Sequence, residues 1–248
     1  EAARANKIPV DWNASKTSVP KKTGVFEFHD VSLEDLRPYI DWTPFFIAWE
    51  MSGKYPAIFK NEKYGEEAKK LFDDANELLD QIIANKSIQA KGVAGIFPAA
   101  QVRDDDIELY TSEDRSTVLT VFQTLRQQAE KRAGEPNRAL ADYVAPADSG
   151  KSDYIGAFVV TAGIGAEELA AEYEKENDDY NSILVKAVAD RLAEAFAEYL
   201  HEHVRKEIWG YADEEYLSNE ELISEKYAGI RPAPGYPACP EHSEKATL

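Results

Sequence analysis

Cysteine is almost absent from this chain: one residue, Cys239, in 248. A single thiol cannot close an internal disulfide, so the fold has to rest on an ordinary core, and such usage suits a reducing cytoplasm. Basic charge is also short. The 28 Lys and Arg face 46 Asp and Glu, for a net charge of -18. A field of that sign repels phosphate backbones and argues against a nucleic-acid partner, while a cationic or zwitterionic ligand is compatible with it. Long apolar runs are missing as well. Nothing approaches the ~18 consecutive residues of a membrane span, and the polar N-terminal stretch has no signal-like apolar region, so no membrane partner is expected. What is present is a foldable composition, 44% hydrophobic and 11% aromatic, outside the disordered range.

Several chemical motifs are started and not completed. His201-Glu202-His203 lacks the second His four residues on, because position 205 is Arg; a solvated helix face is the plainer reading. Cys239 and His242 have ligand-like spacing but no second pair, so no metal is expected. Gly163-Ile164-Gly165 is similar to a nucleotide-binding glycine loop, yet position 168 is Glu and no second βαβ unit follows; a strand-to-helix turn explains it. No Ser/His/Asp arrangement stands out. The absence of a self-contained active site favours a binding domain, with no catalytic side chain of its own.

Periodicity supplies the architecture. Residues 64–84 carry Ala68, Leu71, Phe72, Ala75, Leu78, Leu79, Ile82 and Ile83 at helical spacing. From Asp179 to Ile208, apolar residues recur every four positions from Leu184 to Ile208, predicting a helix about 45 Å long at 1.5 Å per residue. Ser32 with Asp35 predicts a helix start running to Tyr39, and Ser218 with Glu221 a capping box. Val25–Phe28, Val93–Phe97, Asp106–Tyr110, Thr117–Phe122 and Tyr154–Thr161 read as strands, the middle three as an antiparallel meander. Strands clustered without βαβ alternation predict an α+β fold: one domain, with a twisted antiparallel sheet and long flanking helices. Residues 1–23 read as an irregular linker or lead-in segment, and 24–248 as the domain. The absence of an initial Met and the stop at Leu248 suggest a piece of a longer chain.

The most distinctive segment lies at 229–245. Four prolines between Pro232 and Pro240 exclude a regular helix and fix the backbone in extended or turn conformations. Arg231 offers a forked donor for a carboxylate, Tyr236 a ring and a hydroxyl, and Gly235 room for close approach. Arg231-Pro-Ala-Pro-Gly-Tyr236 followed by Pro-Ala-Cys-Pro resembles the S-adenosylmethionine-binding signature of the cobalamin-dependent methionine synthase activation domain. Further blocks are similar to that family, in the same order: Tyr39-Ile-Asp-Trp-Thr-Pro-Phe-Phe46, Gly53-Lys-Tyr-Pro56, Asp142-Tyr-Val-Ala-Pro146, Asp153-Tyr-Ile-Gly-Ala-Phe158, Asp178-Asp-Tyr-Asn181 and Ala189-Asp-Arg-Leu-Ala-Glu-Ala-Phe-Ala-Glu198.

The resemblance implies roles for particular residues. Asp41 would hold the ammonium group of S-adenosylmethionine and Arg231 its carboxylate, a match to a zwitterionic amino-acid end. Ala233 and Tyr236 would line the site, and Glu194 and Glu225 would lie near the sulfonium. Asp190 would receive the cobalt-ligating imidazole of the cobalamin module; the family's companion acid aligns with Ala166, and the adjacent Glu167 would substitute for it. The resemblance also implies that the family continues past Leu248, with aromatic ligand contacts there. It implies a domain that closes over a cobalamin-binding module of the same protein, while an electron from flavodoxin or a flavoprotein reductase and the methyl group of S-adenosylmethionine restore oxidised cobalt in methionine biosynthesis. On that view the chain binds but does not turn over alone. Two other readings carry distinct expectations: a stand-alone class I methyltransferase, which needs a parallel sheet, and a non-catalytic protein-binding domain, which binds no S-adenosylmethionine.

Overall fold

The structure, a computed structural model, describes residues 1–248. Its organising strand is β2 (Gln89–Val102). β1 (Gly24–Val31) and β3 (Asp106–Tyr110) pair with successive stretches of one side of it, and β5 (Asp153–Ile164) with the other. Two residues show this: Gly92 pairs with both Phe28 and Val160, and Ala99 with both Leu109 and Asp153. β4 (Val118–Gln123) extends the sheet beyond β3, and every ladder is antiparallel. The meander and the α+β class therefore stand as expected. A class I methyltransferase sheet does not, because Gly163–Gly165 closes an antiparallel strand. Gly165 (φ 96°) turns the chain directly into α5 (Ala166–Lys175). β2 and β5 are longer than their sequence signals because Gly92, Gly95 and Pro98 interrupt the β-branched pattern on β2.

One sheet face is covered by helices. Ala90, Ala94 and Ile96 of β2 are buried, and Gly92 faces Phe196 so closely that a Cβ would sit 2.9 Å from the ring. Phe196 belongs to α6 (Asp179–His203), whose Leu184, Val185, Val188, Leu192, Phe196 and Leu200 are buried; each contributes about 1.5–3 kcal/mol. α4 (Gly65–Asn85) adds Leu71, Leu78, Leu79 and Ile82 to the same core. α6 is N-capped by Asp178, which accepts from Asn181 N–H at 3.0 Å. The predicted straight helix to Ile208 ends at His203 and continues as a five-residue π-turn, Val204–Ile208. Short helices fill the edges: α1 (Ala2–Ala5), α2 (Leu33–Leu36), α3 (Trp42–Ala48) and α7 (Asn219–Ile223). Ser218 forms the capping box at α7, whereas Ser32 precedes α2 without a side-chain cap bond.

Two buried arginines fasten the irregular parts. Arg126 clamps the segment between β4 and β5. Its Nη atoms donate to both Asp142 oxygens at 2.6 Å, to Asn137 O at 2.7 Å and to Asp104 O at 3.3 Å, and its Nε donates to Asp105 at 2.8 Å. All five of its donors are used. The lead-in segment docks on the same corner through Arg4 to Asp105 and Lys7 to Asp104, and farther along Lys21 N–H donates to Trp209 O.

Arg205 is the second. The π-turn buries it against Glu215, which it pairs, and over the Tyr227 ring, 4.5 Å from the centroid. Its Nη1 donates to His201 Nδ1 at 2.8 Å. Since arginine only donates, Nδ1 is the bare nitrogen and His201 is neutral with its proton on Nε2. His201 is buried between Phe158 and Tyr227, not on a solvated helix face. Burial, with Arg205 and Arg231 nearby, holds its pKa down to about 3.

Two outcomes follow from these junctions. Asp142→Ala leaves Arg126 buried without its main counterion and lowers stability by about 3–5 kcal/mol, measurable by urea unfolding at pH 7. His201 is neutral when folded and protonates near pH 6.5 when unfolded, so its contribution is complete above pH 6.5 and is lost as pH falls towards 3. Compared with His201→Gln, the unmodified chain loses about 1.4 kcal/mol more stability per pH unit between pH 6 and 4; parallel slopes for the two proteins in that window contradict this.

Candidate ligand site on helix α6

Two segments are fastened to α6 at Glu198 and Glu202, and a further one is tied to one of them. The first is the approach to α3. Tyr39 donates its hydroxyl to Glu202 at 2.7 Å and sets its ring edge-on to Tyr199, with centroids 5.5 Å apart. Burial and Glu202 raise the Tyr39 pKa, so the hydroxyl keeps its proton. Two residues on, Asp41 is the N-cap of α3, its Oδ1 accepting from Thr43 N–H at 2.9 Å. Trp42, Phe45 and Phe46 are buried behind it and fix that helix start to the core.

The second segment is the start of α7. Asn219 Nδ2 donates to Ile40 O at 3.3 Å, tying α7 to the residue before Asp41. Its Oδ1 is buried without a partner.

The third is the proline-braced loop. Arg231 pairs through Nη2 with Glu198 on α6, the two side chains 21% and 15% exposed. Arg231 Nε and Glu198 Oε2 are both buried and unpartnered. Burial pushes the Glu198 carboxyl above its ordinary value against the pull of Arg231 and Arg205, and neighbouring Glu194 adds to the rise. Past Arg231 the loop is closed by short-range bonds: Tyr236 N–H to Ala233 O at 3.0 Å, Gly235 N–H to Cys239 O at 2.8 Å and Cys239 N–H to Tyr236 O at 2.9 Å. Leu140 N–H donates to Ala238 O at 2.7 Å and moors the loop to the β4–β5 connection. Upstream, Tyr227 is held by His201 and Arg205. Arg231 thus lies between two anchored points.

Asp41 and Arg231 consequently belong to segments fastened to Glu202 and Glu198, one helical turn apart on α6. Glu194 stands one turn farther back and is exposed. Ala233 and Tyr236 project to solvent from the loop tip, and Glu225 is exposed just beyond α7 with φ 55°. Asp190 is exposed and pairs with Arg191 at 2.5 Å, two turns from Glu198 along the same helix. Glu167 is exposed in the first turn of α5, apart from the cluster. A cavity of about 170 Å³ adjoins the cluster, lined by Tyr39, Tyr199, Glu202, His203, Lys206 and Glu207. A larger one of about 410 Å³ lies across the open sheet face beside Glu27, Lys91, Val93 and Val159, and holds none of the expected site residues.

Sequence reasoning missed Glu198 and Asn219. Glu198 closes a conspicuous block, four residues after Glu194, but its ion pair with a residue 33 positions away carries no local signal. Asn219 sits inside the capping box, which accounted for its neighbours and concealed its own contact. Taken together, the cluster offers one cation with spare donors, several carboxylates and spare acceptors, a set suited to an amino-acid zwitterion carrying further positive charge.

Comparison with known proteins agrees in extent and in fold. A family model described as the vitamin B12 dependent methionine synthase activation domain matches residues 32–248. A solved crystal structure of the MetH reactivation domain bound to AdoHcy is 58% identical, superimposes with a TM-score of 0.94, and is matched over 99% of this chain and 75% of its own. With the match spanning nearly every element described, the chain belongs to the activation-domain family of vitamin B12-dependent methionine synthases.

Proposed function

We propose that the cluster on α6 binds S-adenosylmethionine and presents its methyl group to a cobalamin carried by another module of the same protein. The observation that supports this reading is that Tyr39, two residues before Asp41, bonds Glu202 while Arg231 pairs with Glu198 one turn away on α6. Arg231 Nε and Glu198 Oε2 are buried without partners beside that ion pair, which is uncommon for a pair that serves the fold alone. The AdoHcy bound to the similar reactivation domain has the amino-acid and adenosine parts this reading needs.

The roles divide by charge. Arg231 donates to the ligand carboxylate from the guanidinium N–H groups that Glu198 does not take. Asp41 accepts from the ammonium with the oxygen that does not cap α3. The exposed loop positions Ala233 and Tyr236 cover the nucleoside side. Glu194 and Glu225 supply negative potential for the sulfonium, which gives S-adenosylmethionine a net charge of about +1 and distinguishes it from its demethylated product. When bound, the ligand supplies an electrophilic methyl; the chain holds and orients it, and no side chain acts as nucleophile. Asp190 and Glu167 face outward for the cobalamin module, where a carboxylate accepts a hydrogen bond from a displaced imidazole. Flavodoxin or a flavoprotein reductase delivers the electron. The chain is one part of a methyltransferase in methionine biosynthesis and has no turnover of its own. A cytoplasmic setting is part of the proposal and rests on the single unpaired cysteine.

The test is calorimetric titration of S-adenosylhomocysteine into this chain and into the full-length protein that carries it. Arg231→Ala weakens binding at least tenfold, about 1.4 kcal/mol. Unchanged affinity in both proteins removes Arg231 from the site.

A further inference from the structure

We infer that Glu198 is the positioning residue of the ligand site: it grips Arg231 by Nη2 and so fixes the guanidinium for the bound amino-acid carboxylate. The inference rests on the proposed function and names a residue that it does not itself require.

Arg231 has little else to hold it. Between Tyr227 and Pro234 the chain donates no backbone–backbone hydrogen bond. Its nearest supports are the Tyr211 hydroxyl, which donates to Ala228 O at 3.2 Å, and the Pro232 ring that follows. Pro232 restricts the backbone of Arg231 but leaves four side-chain torsions free. An unrestrained arginine loses about 2 kcal/mol of rotamer entropy on being ordered by a ligand. Glu198 removes that loss in advance, because it comes from the rigid middle of α6, between the buried Phe196 and Leu200.

The pairing is also lopsided in a way that a purely structural ion pair is not. A closed arginine–carboxylate pair uses two parallel bonds. Arg126 and Asp142 in this chain do so, with both Nη atoms on both oxygens at 2.6 Å. Arg231 instead gives Glu198 one bond, from Nη2 to Oε1, and leaves its own Nε and the carboxylate's Oε2 buried and unused. The guanidinium is gripped at Nη2 alone, and Nη1 makes no hydrogen bond within the chain. Glu198 in turn is kept in place by what surrounds it: Arg231 and, from the π-turn beyond α6, Arg205 draw its charge, and Glu194 opposes it.

The experiment compares two ligands. S-adenosylhomocysteine carries the amino-acid end; 5′-methylthioadenosine keeps the nucleoside and lacks it. Titrations use the full-length protein that carries this chain. Glu198→Ala and Glu198→Asp, the latter keeping the charge but withdrawing it by one methylene, weaken S-adenosylhomocysteine at least fivefold and leave 5′-methylthioadenosine within twofold. Glu198→Gln, which still accepts from Nη2, stays within threefold for both ligands. In an Arg231→Ala background, Glu198→Ala costs nothing further. If the alanine variant does not fold, the aspartate variant carries the comparison. A loss below fivefold for S-adenosylhomocysteine, or an equal loss for both ligands, overturns the inference while leaving the site itself intact. Failure of the unsubstituted protein to bind S-adenosylhomocysteine overturns the proposed function instead.

Discussion

The contact of Phe196 with Gly92 sets the position of almost everything else. An α-helix crossing a sheet has freedom to slide and roll unless some pair of residues locks it. Here the lock is a large ring seated where β2 has no side chain at all, and any side chain at position 92 would collide with it. The heavy apolar stripe from Leu184 to Leu200 supplies the energy of the packing, but such a stripe is tolerant of small shifts. A ring over a glycine is not. Once Phe196 is seated, Glu194, Glu198 and Glu202 take fixed heights above the sheet, and His201 and Arg205 come round to the side where Tyr227 and the loop lie.

The chain's buried and half-buried arginines show two different uses of one side chain. Arg126 and Arg205 are fully buried, and their charges are matched by Asp142, Asp105 and Glu215. Such groups hold irregular chain against the body of the domain, and their cost of desolvation is offset within the fold. Arg231 retains 21% exposure and spare capacity. That Arg231 and Glu198 both stay half-used, together with the exposure of Arg231, sets this pair apart from the two buried arginines and accords with the proposed site.

Legibility in the sequence followed the physics of each element. α4 and α6 announce themselves because their period of 3.6 residues runs for many turns on residues that are large and apolar. β2 hides because its inward face is Ala90, Gly92 and Ala94, chosen to make room for α6; the demand of close helix packing erased the β-branched signal. The π-turn is invisible to pattern, since one extra residue per turn changes spacing by less than the tolerance of the apolar repeat. Yet that turn is what buries Arg205. At the site, Arg231 and Asp41 could be named because their surrounding blocks are distinctive, whereas Glu198 and Asn219 act through contacts of 33 and 179 positions in the chain. Local sequence cannot show partners at that separation.

The acids of α6 tie the two proposed tasks of the domain together. Asp190, Glu194, Glu198 and Glu202 recur every four residues. Four residues exceed one turn of 3.6 by about 40°, so the series winds around the helix as it advances. The exposures follow the winding: Asp190 is 68% exposed, while Glu198 and Glu202, farther along, fall to 15% and 17% beneath the loop and Tyr39. One rigid element therefore carries, near its middle, the exposed acid proposed to meet the docking module and, towards its C-terminus, the acids proposed to organise the ligand cluster, about 12 Å apart along the axis from Asp190 to Glu198 at 1.5 Å per residue. A loop could carry the same residues but would let that spacing drift. Methyl transfer between a ligand held by this domain and a metal held by another depends on the spacing, so the packing of α6 on the sheet reaches directly into the chemistry proposed for the domain.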